Sequence, residues 1–218
     1  MSLTEQGWLN VPSGIGLELL DQHRGEVFLS GRAGSRCLLD HRLVNPTARM
    51  IRDHLADLGI LDRRSVAIQA IAFDKTPETN WKVSWHQDVM FPFARAVSTP
   101  GYTLACEKDG IHYARPPVAV LEQLTAVRLS LDPCNPENGP LRVAPGTHKH
   151  GIIPTGEIAQ HVGRSGEIAC TNDAGDLLLM KPLLLHASSQ ATSPQHRRIL
   201  HLVYHNGGTM DEPWHRAV

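Results

Sequence analysis

Trp85-His86-Gln87-Asp88, inside the extended run 83–88, is the stretch around which the rest of the chain is organised. In an extended segment, residues two apart point the same way. His86 and Asp88 can therefore offer an imidazole nitrogen and a carboxylate oxygen to one metal ion. The same spacing also fits a surface histidine beside a turn-capping aspartate, so the pair carries little alone. A distant partner adds weight: His186 ends the apolar run Leu183-Leu184-Leu185, and Arg197 follows it eleven residues on. By itself His186 also reads as a satisfied core histidine. Taken together, two histidines and one carboxylate on one face of a metal leave its other face open, as in the facial triad of non-haem Fe(II) oxygenases.

Outward from that stretch the texture is β. Residues 66–73, 83–88, 126–132, 141–143, 176–186 and 198–204 are short strand-like runs separated by Gly, Pro and Asn. Pro182 interrupts the 176–186 run and predicts an edge or a bulge that re-aims His186. Upstream, residues 1–30 are weakly patterned, with Leu17, Leu19 and Leu20 suggesting a short helix and Val27 and Leu29 a strand; residues 31–35 read as a loop. Asn45-Pro46 opens a helix in which Ala48, Ile51, Leu55 and Leu58 recur at helical spacing, and Gly59 closes it. Residues 91–113 have no clear period and read either as a lid or as a plain surface connection. Residues 152–167 are a polar excursion with one helical turn, and the chain from 206 onward is a polar tail. The expected class is mainly β with flanking α-helices, a sandwich or barrel. We expect one domain over 1–218, with 1–64 as a helical support and 65–205 as the β core.

Composition bounds the rest. The 218 residues are 41% hydrophobic and 20% charged with a net charge of −1, ordinary for a globular domain. There is no dense basic block of the kind that marks a nucleic-acid surface, and no apolar run approaching the ~20 residues of a membrane span. Cys37, Cys106, Cys134 and Cys170 are scattered without a C-x-x-C; with no leader-like pattern over 1–10, they predict reduced thiols and a cytoplasmic location.

Three blocks carry a family resemblance. Phe73-Asp74-Lys75-Thr76-Pro77, leading to Asn80-Trp81 and Trp85-His86-Gln87-Asp88, resembles the iron-site segment of the phytanoyl-CoA dioxygenase family. Asn138-Gly139-Pro140-Leu141-Arg142-Val143-Ala144-Pro145-Gly146-Thr147-His148-Lys149-His150-Gly151 resembles its second signature. Leu185-His186-Ala187-Ser188-Ser189 with His196-Arg197-Arg198-Ile199-Leu200-His201 resembles its third. The blocks stand in the family's order between residues 70 and 204.

The resemblance implies a double-stranded β-helix, the jelly-roll or cupin-like shell. It implies Fe(II) held by His86, Asp88 and His186, 2-oxoglutarate as co-substrate with O2, and hydroxylation of a C–H bond of a small molecule with release of succinate and CO2. Asp88 favours hydroxylation over halogenation, which would need that ligand position vacated. The resemblance places the far carboxylate of 2-oxoglutarate on Arg197 with Ser188 as hydroxyl donor. Arg198 is the rival, because adjacent residues of a strand face opposite ways; Leu200 and Leu202 share its face, which favours Arg197. Gln69, Trp81, Lys82, Trp85 and Arg128 are candidate substrate-pocket residues, each also readable as packing or solvated surface. Arg128 stands out, since a cation inside an apolar strand needs a partner. Residues 138–151 read as a rim loop or as tight turns at Gly139 and Pro145-Gly146; His148 and His150 lack a carboxylate partner and are not taken as ligands. Other classes the residues allow are a Zn- or Mn-dependent isomerase or hydrolase on the same shell, and a binding module without activity.

Overall fold

The computed structural model describes residues 2–28 and 34–218. Its helices are α1 (Leu3–Gln6), α2 (Leu17–Glu26), α3 (Val44–Asp57), α4 (Val118–Leu121) and α5 (Ile158–Ser165). The strands are β1 (Trp8–Pro12), β2 (Gly34–Ser35), β3 (Val66–Lys75), β4 (Val83–His86), β5 (Phe91–Phe93), β6 (Thr103–Lys108) and β7 (Ile111–Arg115), then β8 (Leu124–Ser130), β9 (Leu141–Val143), β10 (Ile168–Cys170), β11 (Asp176–Met180), β12 (His186–Ser188) and β13 (Arg197–His205). A major sheet in the order β1-β11-β8-β13-β3-β2 faces a minor sheet in the order β10-β9-β12-β4, and a three-stranded sheet β5-β7-β6 stands beside them. All pairings of named strands are antiparallel. This is the jelly-roll, double-stranded β-helix shell.

Side-chain alternation explains the two layers of core. On β13, Leu200, Leu202 and Tyr204 face outward and pack with Ala48, Ile51 and Leu55 of α3. The β3 residues beneath them are Ala67, Ala70 and Ala72, small enough to let a helix lie close. The Tyr204 hydroxyl donates to the Ala48 carbonyl at 2.7 Å, tying helix to sheet. The opposite faces of β13, β8 and β3 turn toward the minor sheet, where Val203, Ala126 and Ile68 meet Leu141 and Val143. Helix α3 ends as its sequence directs. Gly59 takes φ +70°, Gly59 N–H donates to Ala56 and Ile60 N–H to Leu55, a Schellman closure.

Several expectations need correction. Residues 176–186 are not one strand with a bulge at Pro182: β11 lies in the major sheet, a turn at 181–185 crosses over, and β12 lies in the minor sheet. The segment before 64 supplies two strands of the major sheet, β1 and β2, besides its helices. Residues 158–165 make two helical turns. The tail is packed rather than free: Trp214 stacks on Phe93 at 4.9 Å, and Val218 exchanges two backbone hydrogen bonds with Ala67. Residues 91–113 hold strands that lacked a readable period because all of β6 is exposed. Of the strand expected at Val27 and Leu29, Val27 caps α2 and Leu29 lies outside the described residues, as does most of the 31–35 loop. No helix among the described residues is long and apolar enough to cross a membrane, and the four cysteines are free.

Candidate metal centre

The minor sheet brings the three residues together. His186 on β12 pairs directly with His86 on β4, and the rings lie 4.2 Å apart. Between His186 and Ser188 the register slips, so that Ser188 sits opposite Val83. Two β4 residues, Ser84 and Trp85, therefore oppose the single Ala187, and this bulge leaves both Val83 and His86 facing the cavity. The distortion expected near Pro182 is thus on β4, where it aims His86. Strand β4 ends at His86, and the unpaired stretch that follows brings Asp88 to the site. Asp88 N–H donates to the Pro182 carbonyl at 2.9 Å. The Gln87 amide donates to the Gly151 and Leu183 carbonyls at 2.8 and 2.6 Å and accepts from Ile153 N–H at 2.8 Å. Gln87 clamps this part of the chain to two others, residues 151–153 and Leu183, a task the sequence reading did not assign.

One Asp88 oxygen lies 3.5 Å from His86 Nε2 and the other 3.5 Å from His186 Nε2. That is long for a hydrogen bond and suits donors that share one ion at roughly 2 Å each. One donor atom from each residue falls within 4.8 Å of the others. Each imidazole is also fixed from behind: His86 Nδ1 meets the Ser84 carbonyl and His186 Nδ1 the Leu184 carbonyl, both at 2.9 Å. An N–H at Nδ1 leaves the Nε2 lone pair for a metal. The acceptor in each case is the carbonyl two residues back. Burial pushes the His186 pKa down to about 4, so the ring is neutral at neutral pH. For His86 burial works against charge, but Asp88 outweighs it and raises the pKa. The Asp88 carboxyl, despite burial, is held well below the usual range by His186, His86 and His201. Neutral imidazole and ionised carboxylate are the metal-binding forms; His186 and Asp88 favour them already, and the Nδ1 contact of His86 leaves its Nε2 to exchange a proton for a cation, so the donor set fits a divalent ion.

The centre opens into a cavity of about 300 Å3. Gln69, Trp81, Arg128, Ser188 and Arg197 line it. Lys82 and Trp85 do not. Lys82 is exposed, and Trp85, next to His86, faces the other side of the strand, where the Arg142 guanidinium covers its ring at 5.4 Å. Arg197 is 4% exposed; it donates to the Gly139 carbonyl, and its Nε is buried with no partner. Ser188 Oγ donates to the same carbonyl at 3.0 Å and accepts from Lys75 Nζ at 3.0 Å. Arg198 points to the other face, where Nε and Nη2 bind Asp132 at 2.8 and 2.9 Å. The orphaned Arg197 Nε and the cluster of donors beside it fit a carboxylate.

Lys75 and His201 were missed as site residues. Both were legible by parity, since Lys75 shares a face with Gln69 and Phe73, and His201 with Arg197. Burial, with the Arg197 charge second, brings the Lys75 pKa down to about 8. Gly139 serves both readings offered for its loop. Its φ of +70° makes a tight turn, and its carbonyl organises Ser188 and Arg197. His148 instead meets the Thr4 carbonyl at 3.1 Å, and His150 lies against His161.

The profile of the phytanoyl-CoA dioxygenase family matches residues 33–199. No curated sequence relative matches the chain. Among solved structures, HygX from Streptomyces hygroscopicus with nickel and 2-oxoglutarate bound superposes with a TM-score of 0.62 at 16% identity, over 93% of this chain and 84% of that one; HygX is also known with iron bound. EctD from S. alaskensis with 2-oxoglutarate and 5-hydroxyectoine gives 0.64 at 17%, over 97% and 78%. SnoN, the non-heme alpha-ketoglutarate-dependent epimerase of nogalamycin biosynthesis, gives 0.64 at 16%, over 94% and 79%. At these identities the likeness is one of fold; the profile, spanning most of the chain, decides its kinship, and the chain belongs to the phytanoyl-CoA dioxygenase family of iron- and 2-oxoglutarate-dependent oxygenases.

Proposed function

We propose that the protein hydroxylates a C–H bond of a small molecule, using Fe(II) bound by His86, Asp88 and His186 and 2-oxoglutarate anchored by Arg197 and Ser188. One observation carries this reading. A two-imidazole, one-carboxylate donor set, with both rings fixed through Nδ1, opens into the same cavity as an arginine whose Nε has no partner. When bound, the iron supplies oxygen activation driven by oxidative decarboxylation of the co-substrate to succinate and CO2. The chain's own residues do the rest. Ser84 and Leu184 hold the ring tautomers, Gln87 fixes the stretch that carries Asp88, and Gly139 presents Ser188 and Arg197 toward the co-substrate. Ile71, Phe73 and Tyr113 wall the cavity against water. Retention of Asp88 supports oxygen insertion over halogenation. We take the whole chain as one oxygenase domain, supported by β1 completing the major sheet, and place it in a reducing compartment, the cytoplasm, on the strength of four free cysteines.

The test is succinate release from 2-oxoglutarate by protein loaded with Fe(II) under anaerobic conditions and then exposed to O2. No release, with or without substrate, overturns the proposal. A second reading is favoured by the likeness to SnoN, named an epimerase: the same C–H bond is broken but no oxygen is inserted. Mass analysis of the product made under 18O2 separates the two.

A further inference from the structure

Arg128 is a half-buried cavity cation that the oxygenase reading leaves without a task. It stands on β8 opposite His201 of β13 and turns into the cavity. Its guanidinium lies 5.8 Å above the Phe73 ring and 3.4 Å from His201 Nδ1. His201 cannot neutralise it, since burial, with the Arg128 charge second, pushes that imidazole down to about 3. Among the described residues no carboxylate lies within ion-pair distance of Arg128; Arg198, by contrast, has Asp132. The nearby thiol of Cys170 is pushed up to about 12 by burial and stays neutral. Burial and then the charge of Arg197 lower the Arg128 pKa to about 10, so the guanidinium still carries its charge at neutral pH.

Counting charge shows what is missing, and the count rests on the co-substrate reading above. A divalent metal and Arg197 are matched by Asp88 and the two carboxylates of 2-oxoglutarate. Lys75 is accommodated by Ser188 Oγ, the Ser189 carbonyl and the Trp81 ring, its Nζ 5.4 Å from the ring centre. Arg36 and Lys108 also line the cavity, Lys108 with its Nζ 5.8 Å from the centre of the Tyr113 ring. Arg128 remains as an unmatched charge beside the reacting centre, and a part-buried charge without a partner is costly. We propose that the substrate is a small organic anion whose carboxylate or phosphate is gripped by the Arg128 guanidinium, its apolar body lying along Ile71, Phe73 and Tyr113. The cavity volume of about 300 Å3 is at the lower end for small-molecule sites, which restricts that body to a small one.

The experiment uses the full chain loaded with Ni(II) and 2-oxoglutarate, so that binding is read without turnover. Calorimetry and melting temperature are measured with hexanoate, phenylacetate and phenyl phosphate, each beside a neutral counterpart: hexanamide, phenylacetamide and phenol. At least one anion is expected to bind at least tenfold more tightly than its neutral counterpart, and the preferred one separates carboxylate from phosphate. Arg128→Gln should weaken that anion by roughly thirtyfold or more, Arg128→Lys should retain part of the affinity, and the Kd for 2-oxoglutarate should hold in both. Equal binding of acids and amides, or no binding by any anion, overturns the proposal without needing a variant. A weakened 2-oxoglutarate Kd in Arg128→Gln overturns it by giving Arg128 to the co-substrate. Failure to bind Ni(II) or 2-oxoglutarate at all sinks the oxygenase reading and, with it, the charge count used here.

Discussion

Replacing Arg197 with leucine tests the co-substrate site most directly, because Arg198 supplies an internal control one residue away. Arg197 is 4% exposed and its Nε has no partner, so an anion placed there meets a guanidinium already stripped of water. Removing one member of a buried, hydrogen-bonded charge pair costs about 2–5 kcal/mol. That predicts a Kd for 2-oxoglutarate raised roughly thirtyfold to several-thousandfold in Arg197→Leu. Arg198→Leu loses two hydrogen bonds to Asp132, which is 13% exposed and keeps Arg24 at 3.3 Å. It should lower stability by about 1–3 kcal/mol and leave the 2-oxoglutarate Kd unchanged. Anaerobic titration of 2-oxoglutarate into Fe(II)-loaded protein, followed by calorimetry, gives the Kd; urea denaturation gives the stability. The reasoning is refuted if Arg197→Leu binds 2-oxoglutarate as tightly as the parent, or if Arg198→Leu is the variant that loses it.

Alanine at His86, Asp88 or His186 should reduce bound Fe(II) to a small fraction of one equivalent after gel filtration, measured by a chelator assay; stoichiometric iron in any of the three would remove that residue from the centre. Gly139→Ala puts a Cβ 2.5 Å from the Ser189 carbonyl on a backbone at φ +70°, so a stability loss of about 1–3 kcal/mol is expected, with weaker 2-oxoglutarate binding because the Gly139 carbonyl shifts. Acid sensitivity should trace in part to His23, which is fully buried between the Leu19 carbonyl and Thr47 Oγ1. Burial lowers its pKa below 6.5, so below pH 6.5 the unfolded chain takes up a proton that the folded chain refuses. Stability then falls as pH drops from 6.5 toward the folded pKa, by about 1.4 kcal/mol per pH unit for this group. His23→Asn should flatten that part of the profile in urea melts at pH 7 and 5.5, and an unchanged slope would rule His23 out.

Much of this was legible because parity along a strand is a strict rule. Leu200 and Leu202 belong to the outer core, so Arg198 must share their side and Arg197 the cavity; the structure has that arrangement. The same rule anticipated the meeting of His86 and Asp88; β4 stops at His86, and the stretch carrying the carboxylate is held by Gln87 instead of by strand pairing. Lys82 and Trp85 were offered as pocket residues without that rule, which, counted back from His86, turns the adjacent Trp85 away from the cavity; the bulge that lets Val83 face inward as well has no mark in Val83-Ser84-Trp85-His86. Strand β1 escaped notice because, at a sheet edge, its residues are mostly half-exposed and do not alternate cleanly. Trp214 read as tail because its partners, Phe91 and Phe93, lie more than a hundred residues away in the chain.

The bulge on β4 acts through its shape rather than through the number of residues it holds. Three apart, Val83 and His86 would face opposite sides of a regular strand, so flattening the bulge at constant length sends one of them out of the cavity, whereas deleting Ser84 or Trp85 leaves them two apart and on one face by plain alternation. A library built to reach new substrates can therefore vary the exposed strand 103–108 and even shorten β4 by one residue, provided that Val83 and His86 keep one face between them.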